Sequence, residues 1–152
     1  MWLYLVQHGE AASEDEDPER PLTERGVVDV HRVARKAAES GIVTAVQVIH
    51  SGKTRARQTA EAWGQALGVP VDQGNDLSPR ADASIWAMRV AAQEEDLMLV
   101  GHLPHLAELA GLLLAGDKQR TIVAFQQGDL VGLQQIDGRW SVSLVLPPPA
   151  VV

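Results

Sequence analysis

Short apolar, β-branched runs alternate with segments of helical period along most of this chain, and that alternation leaves few folds open to it. Trp2–Val6, Ala45–Ile49 and Leu97–Val100 read as buried strands. Thr23 reads as an N-cap, followed by Val27, Val30, Val33, Ala34, Ala37 and Ala38 at helical spacing, with Gly41 ending the helix. Thr54–Leu67 reads as a second helix stopped by Gly68 and Pro70, and Asp72–Pro79 as a loop. Ala83–Ala92 and Leu103–Leu114 read as two further helices. Such alternation implies a mostly parallel sheet covered on both faces. The last third changes character, with strands expected at Thr121–Phe125, Leu130–Ile136 and Trp140–Leu146. Asp137-Gly138 joins the last two as a hairpin, and Pro147-Pro148-Pro149 cannot continue a sheet. The expected fold is an α/β, three-layer α/β/α sandwich with a mostly parallel, mixed sheet. At 152 residues without an internal repeat, residues 1–152 are expected to form a single domain.

Composition narrows the function. Thirteen Lys and Arg against twenty Asp and Glu give a net charge of −7, which argues against general nucleic-acid binding. One Phe and one Tyr leave few platforms for stacking single-stranded bases. No apolar run approaches the ~20 residues that span a bilayer, so no membrane association is expected. Met1–Val6 has no basic segment before it and meets His8-Gly9-Glu10 at once, unlike a signal peptide, so a cytoplasmic location is expected. The absence of cysteine removes thiolate metal sites, iron–sulfur clusters and cysteine nucleophiles.

Ligands of open α/β sheets bind beyond the carboxyl ends of the strands. Three strands of this chain end in unusual chemistry: Gln7-His8-Gly9-Glu10, His50-Ser51-Gly52-Lys53-Thr54-Arg55, and Gly101-His102-Leu103-Pro104-His105. If the strands are parallel neighbours, His8, Arg55 and His102 meet at one edge of the sheet near two helix N-termini. Two imidazoles, a guanidinium and free backbone N–H groups make an anion site, and the Arg fork suits phosphate oxygens. Gly9 and Gly101 beside the histidines would let a ligand approach the backbone.

Other readings of these residues are weaker. Gly52-Lys53-Thr54 imitates the end of a P-loop, but the required glycine five positions earlier is Gln47, inside an apparent strand. His8, Glu10, Asp76, His102 and His105 could be imagined around a metal, yet no metal-binding motif accompanies them and Arg55 would repel a cation. His31 and His50 are read as ordinary structural or surface histidines.

Gln7-His8-Gly9-Glu10, Arg20-Pro21-Leu22-Thr23, Ser51 with Arg55-Ala56-Arg57-Gln58-Thr59, and Gly101-His102-Leu103-Pro104 together resemble the histidine phosphatase superfamily. The RPLT and HLP segments and the short length resemble its SixA-type phosphohistidine phosphatase branch. The resemblance implies a phosphoglycerate mutase-like fold and a reaction through a covalent phosphohistidine, without metal or other cofactor. It implies that His8 is the nucleophile, that Arg55 binds the phosphoryl oxygens, that His102 donates to them and that Arg20 adds a positive contact. The phosphoryl donor would be a phosphorylated protein, such as a histidine phosphotransfer domain, with inorganic phosphate as product.

Gln7 departs from the pattern, which usually has arginine there. Glutamine keeps a donor but loses the charge and the bidentate fork. The site would then work through Arg55, Arg20 and His102, or the protein would bind phosphate groups with little turnover. Asp76, in the loop after the second helix, is the one candidate for a general acid. Imidazole leaves more easily than an alkoxide, so a site with a weak acid suits phosphohistidine. No long insertion separates His8 from Arg55 to close over a small metabolite. The acidic Glu14–Glu19 loop lies beside the expected mouth of the site. A metal-dependent hydrolase built from His8, His102, His105 and Asp76 is the alternative from another class.

Overall fold

A computed structural model of the chain describes residues 1–148. In chain order it contains β1 (Trp2–Gln7), α1 (Glu24–Ser40), β2 (Val48–His50), α2 (Thr54–Leu67), β3 (Val71–Gln73), α3 (Ala83–Ala91), β4 (Leu97–Gly101), α4 (His105–Ala115), β5 (Leu130–Ile136) and β6 (Arg139–Leu146). One six-stranded sheet runs in the order β3-β2-β4-β1-β5-β6. The first four strands are parallel, and β5 and β6 add antiparallel pairs.

The pleat of β1 sorts its residues onto the two faces. Tyr4 and Val6 pack with Val33, Ala34 and Ala37 of α1 and with Ala60 and Trp63 of α2. Leu3 and Leu5 pack on the other face with Trp86 and Val90 of α3 and Leu106 and Leu109 of α4. Full burial of side chains such as Leu5 and Leu109 contributes about 1.5–3 kcal/mol each. These two cores make the three layers.

Capping fixes the helices near the site. Thr23 Oγ1 accepts from Gly26 N at 2.9 Å, and Gly41, at φ 72°, takes the left-handed conformation that ends α1. At Gly26 a Cβ would overlap the Glu10 carbonyl oxygen, so only glycine lets the first turn of α1 lie against the loop that follows β1.

Three expectations are corrected. Thr121–Phe125 forms no strand. Both neighbours of β1 are already occupied, by β4 and β5, so this extended segment finds no ladder partner. Its alternation instead turns Val123 and Phe125 onto the α3–α4 core while Ile122 stays exposed. Conversely, Val71–Gln73 inside and just ahead of the expected loop is a parallel edge strand paired with β2. With one apolar residue after Pro70, it has no pattern of its own, and β2 supplies its order. The second strand also sits later than Ala45–Ile49, over Val48–His50. Pro147 and Pro148 follow β6 outside any strand, and Pro149 lies outside the described residues.

Candidate active site

β4 lies between β1 and β2, so the three polar strand ends emerge side by side. His8 N donates to Gly101 O at 3.1 Å, which joins the first and third segments directly. The His8 ring is 6% exposed, and its Nδ1 lies 2.8 Å from Gly9 O. A carbonyl only accepts, so Nδ1 carries the proton and Nε2 keeps its lone pair. Burial lowers the His8 pKa to about 4; the Gly9 carbonyl opposes that, and Arg55 and Arg20 add to it. His8 is therefore a neutral imidazole at neutral pH.

His102 faces His8 across 5.1 Å between ring centroids. Its Nε2 is 2.6 Å from Ser51 Oγ, and its Nδ1 is buried without a partner. Burial, then the neighbouring His8, Arg55, Lys53 and His105, hold its pKa down to about 3. Arg55 occupies the first turn of α2 with Nε buried and unpartnered, and its pKa is lowered by burial and then by Arg20. Arg20 stands at φ 46° with Nε donating to Ala12 O at 3.0 Å. Among the described residues no carboxylate forms an ion pair with Arg20 or Arg55. Two guanidinia that repel each other, both without a counter-charge, beside a neutral imidazole lone pair are arranged for an anion.

The supporting contacts come partly from residues that sequence reasoning left as motif filler. Thr59 Oγ1, fully buried, accepts from Gly9 N at 3.0 Å and donates to Arg55 O at 2.8 Å. Gln58 Oε1 accepts from Leu22 N at 2.7 Å and ties the Arg20–Thr23 segment to α2. Ser51 orients His102. The helical spacing of Arg55, Gln58 and Thr59 was the available signal, since it puts them on neighbouring turns of one face.

Gln7 is buried on the α3–α4 side of the sheet, with Oε1 lacking a partner. At Gly9 a Cβ would meet Val30 Cγ1 of α1 at 2.6 Å, so its bare Cα accommodates the helix. Asp76, at φ 63°, ion-pairs with Arg89 of α3 at 2.7 Å and makes no hydrogen bond with His8, Arg55 or His102. His105 is buried at the start of α4 with both ring nitrogens unpartnered. Among the described residues no three His, Asp or Glu side chains gather as a metal-binding group, so His8, His102, His105 and Asp76 do not assemble as one. His50 Nδ1 accepts from Gly52 N at 3.0 Å, a structural role. Glu19 Oε2, 3.4 Å from Thr54 Oγ1, brings the acidic loop to the first turn of α2. Among the described residues no helix is long and apolar enough to cross a membrane.

The sequence profile of the histidine phosphatase superfamily (branch 1) matches residues 3–79. An uncharacterized protein of Picosynechococcus sp. is 36% identical over 124 residues, 76% of this chain and 74% of that one. The fold superimposes on the protein histidine phosphatase SixA complexed with tungstate, with a TM-score of 0.83 and 23% identity over 97% of both chains. A candidate phosphohistidine phosphatase SixA from Agrobacterium tumefaciens gives 0.78 and 27% identity, again over 97% of both. The α-ribazole phosphatase from Shigella flexneri gives 0.79 at 15% identity, over 95% of this chain and 96% of that one.

Proposed function

Because the chain belongs to the histidine phosphatase superfamily, we propose that it hydrolyses phosphohistidine on a partner protein through a phosphoryl group carried transiently by His8. The observation that carries this reading is the His8 ring: Nδ1–H is spent on the Gly9 carbonyl, leaving a neutral Nε2 beside two unpaired guanidinia.

In the first step Nε2 attacks phosphorus in line with the departing imidazole nitrogen of the substrate. The new N–P bond forms as the old one breaks, and the electron pair stays on the departing nitrogen, which takes a proton from water. In the second step water attacks the phosphoryl group on His8, the proton it gives up neutralises the hydroxide left by the first step, phosphate leaves, and the lone pair returns to Nε2. Arg55 and Arg20 hold the equatorial oxygens, and a ring N–H of His102 donates to them as charge redistributes. The engagement of Asp76 with Arg89 favours a donor whose leaving group needs little acid assistance, as imidazole does.

A second reading, a phosphate-binding relative with little turnover, is favoured by one observation. Residue 7 brings an amide where a guanidinium would otherwise stand. The experiment is phosphate release from a phosphohistidine-bearing protein in EDTA, by wild type and His8→Ala, with a phosphoserine peptide alongside. Release from phosphohistidine alone, lost in His8→Ala, is expected. Inorganic phosphate binding without release from either substrate would support the second reading.

A further inference from the structure

Gly128 N lies 3.1 Å from the carbonyl oxygens of both Gln7 and His8, which fastens the turn before β5 to the end of β1. The antiparallel register of β1 and β5 pairs Val6 with Leu130. The ladder ends at that pair: Gly128 N bonds the Gln7 carbonyl and Asp129 N turns back to Gln126 O at 3.1 Å, so Asp129 is the chain neighbour of the residue that is bonded to Gln7. Both are buried, Gln7 at 9% and Asp129 at 4% exposure. Asp129 Oδ2 accepts from Gln126 N at 2.8 Å, but among the described residues its Oδ1 and the Gln7 Oε1 are both buried without a hydrogen-bond partner. A buried unsatisfied acceptor costs about 1–3 kcal/mol. Two at one end of the sheet, joined through the Gly128 bond to Gln7, share one remedy, a proton between them.

We propose that the protonated Asp129 carboxyl donates from Oδ1 to Gln7 Oε1, and that this acid–amide couple aims the Gln7 Nε2 at the phosphoryl site. Asp129 is thus a positioning residue, the support that lets a neutral amide serve where an arginine would need none. What Nε2 meets rests on the phosphatase reading; the couple itself does not.

Burial favours the proton on Asp129, raising its pKa to about 6 against the opposing backbone N–H groups of the turn. The titratable groups at this end of the sheet are His8 after β1, His102 and His105 at β4 and α4, Arg55 on α2, and Arg20 in the loop before α1. The three imidazoles have lowered pKa values, and the causes of the Asp129 shift are burial and the backbone N–H groups of its own turn rather than any of these charges. β6 ends with Leu146 opposite Leu130 and brings no titratable group there. When Asp129 loses its proton, the amide reverses: Nε2 turns to the carboxylate and Oε1 faces the phosphoryl oxygens. Anion binding and protonation of Asp129 are therefore linked.

The test begins with phosphate-free protein. The side-chain amide resonance of Gln7, identified by its loss in Gln7→Leu, is followed between pH 4.5 and 8. It is expected to shift with a midpoint near 6 that vanishes in Asp129→Asn; an amide indifferent to Asp129 would overturn the proposal. Inorganic phosphate binding is then measured by calorimetry at pH 5.5 and 7.5. Asp129→Asn keeps an N–H donor at every pH, and taking its ratio to wild type cancels the titration of phosphate itself. The wild-type Kd is expected to rise about tenfold relative to Asp129→Asn over that interval, with Asp129→Ala weak at both. A flat ratio would overturn the aiming of Nε2. An amide that titrates in a protein no variant of which binds phosphate would uphold the couple and defeat the phosphatase reading instead.

Discussion

The imidazoles of His8 and His102 face each other with centroids 5.1 Å apart and planes inclined by 50°. Two rings at that distance resist being charged together, and each is buried. His8 is expected to titrate near pH 4 and His102 near pH 3, well below the ordinary 6.5. Burial is the main cause at both; at His8 the lowering from Arg55 is secondary, so Arg55→Ala should raise the His8 midpoint by less than about one unit. Ring nitrogen chemical shifts across pH 3–8 measure both midpoints. A His8 midpoint at 6.5 would remove the basis for a neutral nucleophile held by burial.

The same shifts set the acid stability of the fold. The unfolded chain binds protons to these histidines as pH falls through about 6.5, whereas the folded chain resists until about 4 and 3. Stability from the two rings is fully present above 6.5 and is lost progressively below it. Asp129 acts in the opposite sense: its raised pKa makes the folded state hold the extra proton, so its burial costs stability as pH climbs through about 6. Asp129→Asn should therefore gain about 3 kcal/mol at pH 7.5 and little at pH 4. Urea unfolding at the two pH values reads the difference, and an equal effect at both would contradict it.

Among the described residues Ser51 Oγ is the one side-chain hydrogen-bond partner of the His102 ring, at 2.6 Å. Ser51→Ala should leave the fold intact and lower kcat on a phosphohistidine substrate about tenfold, the scale of one lost hydrogen bond of about 1–1.5 kcal/mol. Ser51→Thr keeps the hydroxyl and should recover much of that loss. Equal activity in Ser51→Ala and wild type would mean that His102 is oriented by packing alone.

Legibility in the sequence followed the range of the interactions. Thr23 and Gly41 announced α1 because capping is local, and both cap as expected. Asp137-Gly138 likewise marked its hairpin, with positive φ at both residues. The edge strand Val71–Gln73 was illegible because its order comes from β2, and Thr121–Phe125 misled because a strand pattern does not say whether a ladder position is free. His8, Arg55 and His102 stood out as polar residues at strand ends, and the sheet brings them together. Ser51 and Thr59 stood in the same motifs without a role of their own, since a hydroxyl gains its meaning from the partner it meets across the fold. Asp129 was hidden for the same reason: only the Gly128 bond to the Gln7 carbonyl and the burial of both side chains connect it with Gln7.

Thr59 and Gly26 both hold the nucleophile loop, one by a hydrogen bond to Gly9 N and the other by close approach to Glu10 O, and their variants should fail differently. Thr59→Val keeps the shape but leaves Gly9 N without its acceptor, at a cost of about 1–3 kcal/mol. For a chain of this length that lowers Tm by roughly 2–10 °C. Since Thr59 also bonds Arg55 O, phosphate affinity should fall with it. Thr59→Ser keeps both bonds and should restore affinity more fully than stability. Gly26→Ala places a methyl group on the Glu10 carbonyl, a backbone atom that cannot move without shifting the loop. Overpacking of this kind costs about 1–3 kcal/mol and should misplace His8 even in the folded protein. Gly41→Ala, in open space at φ 72°, should cost about 1 kcal/mol through backbone strain and leave phosphate binding unchanged. Calorimetric Tm and phosphate Kd for the four variants separate the two effects. Normal affinity in Gly26→Ala would show that the loop tolerates displacement and that His8 is placed by β1 alone.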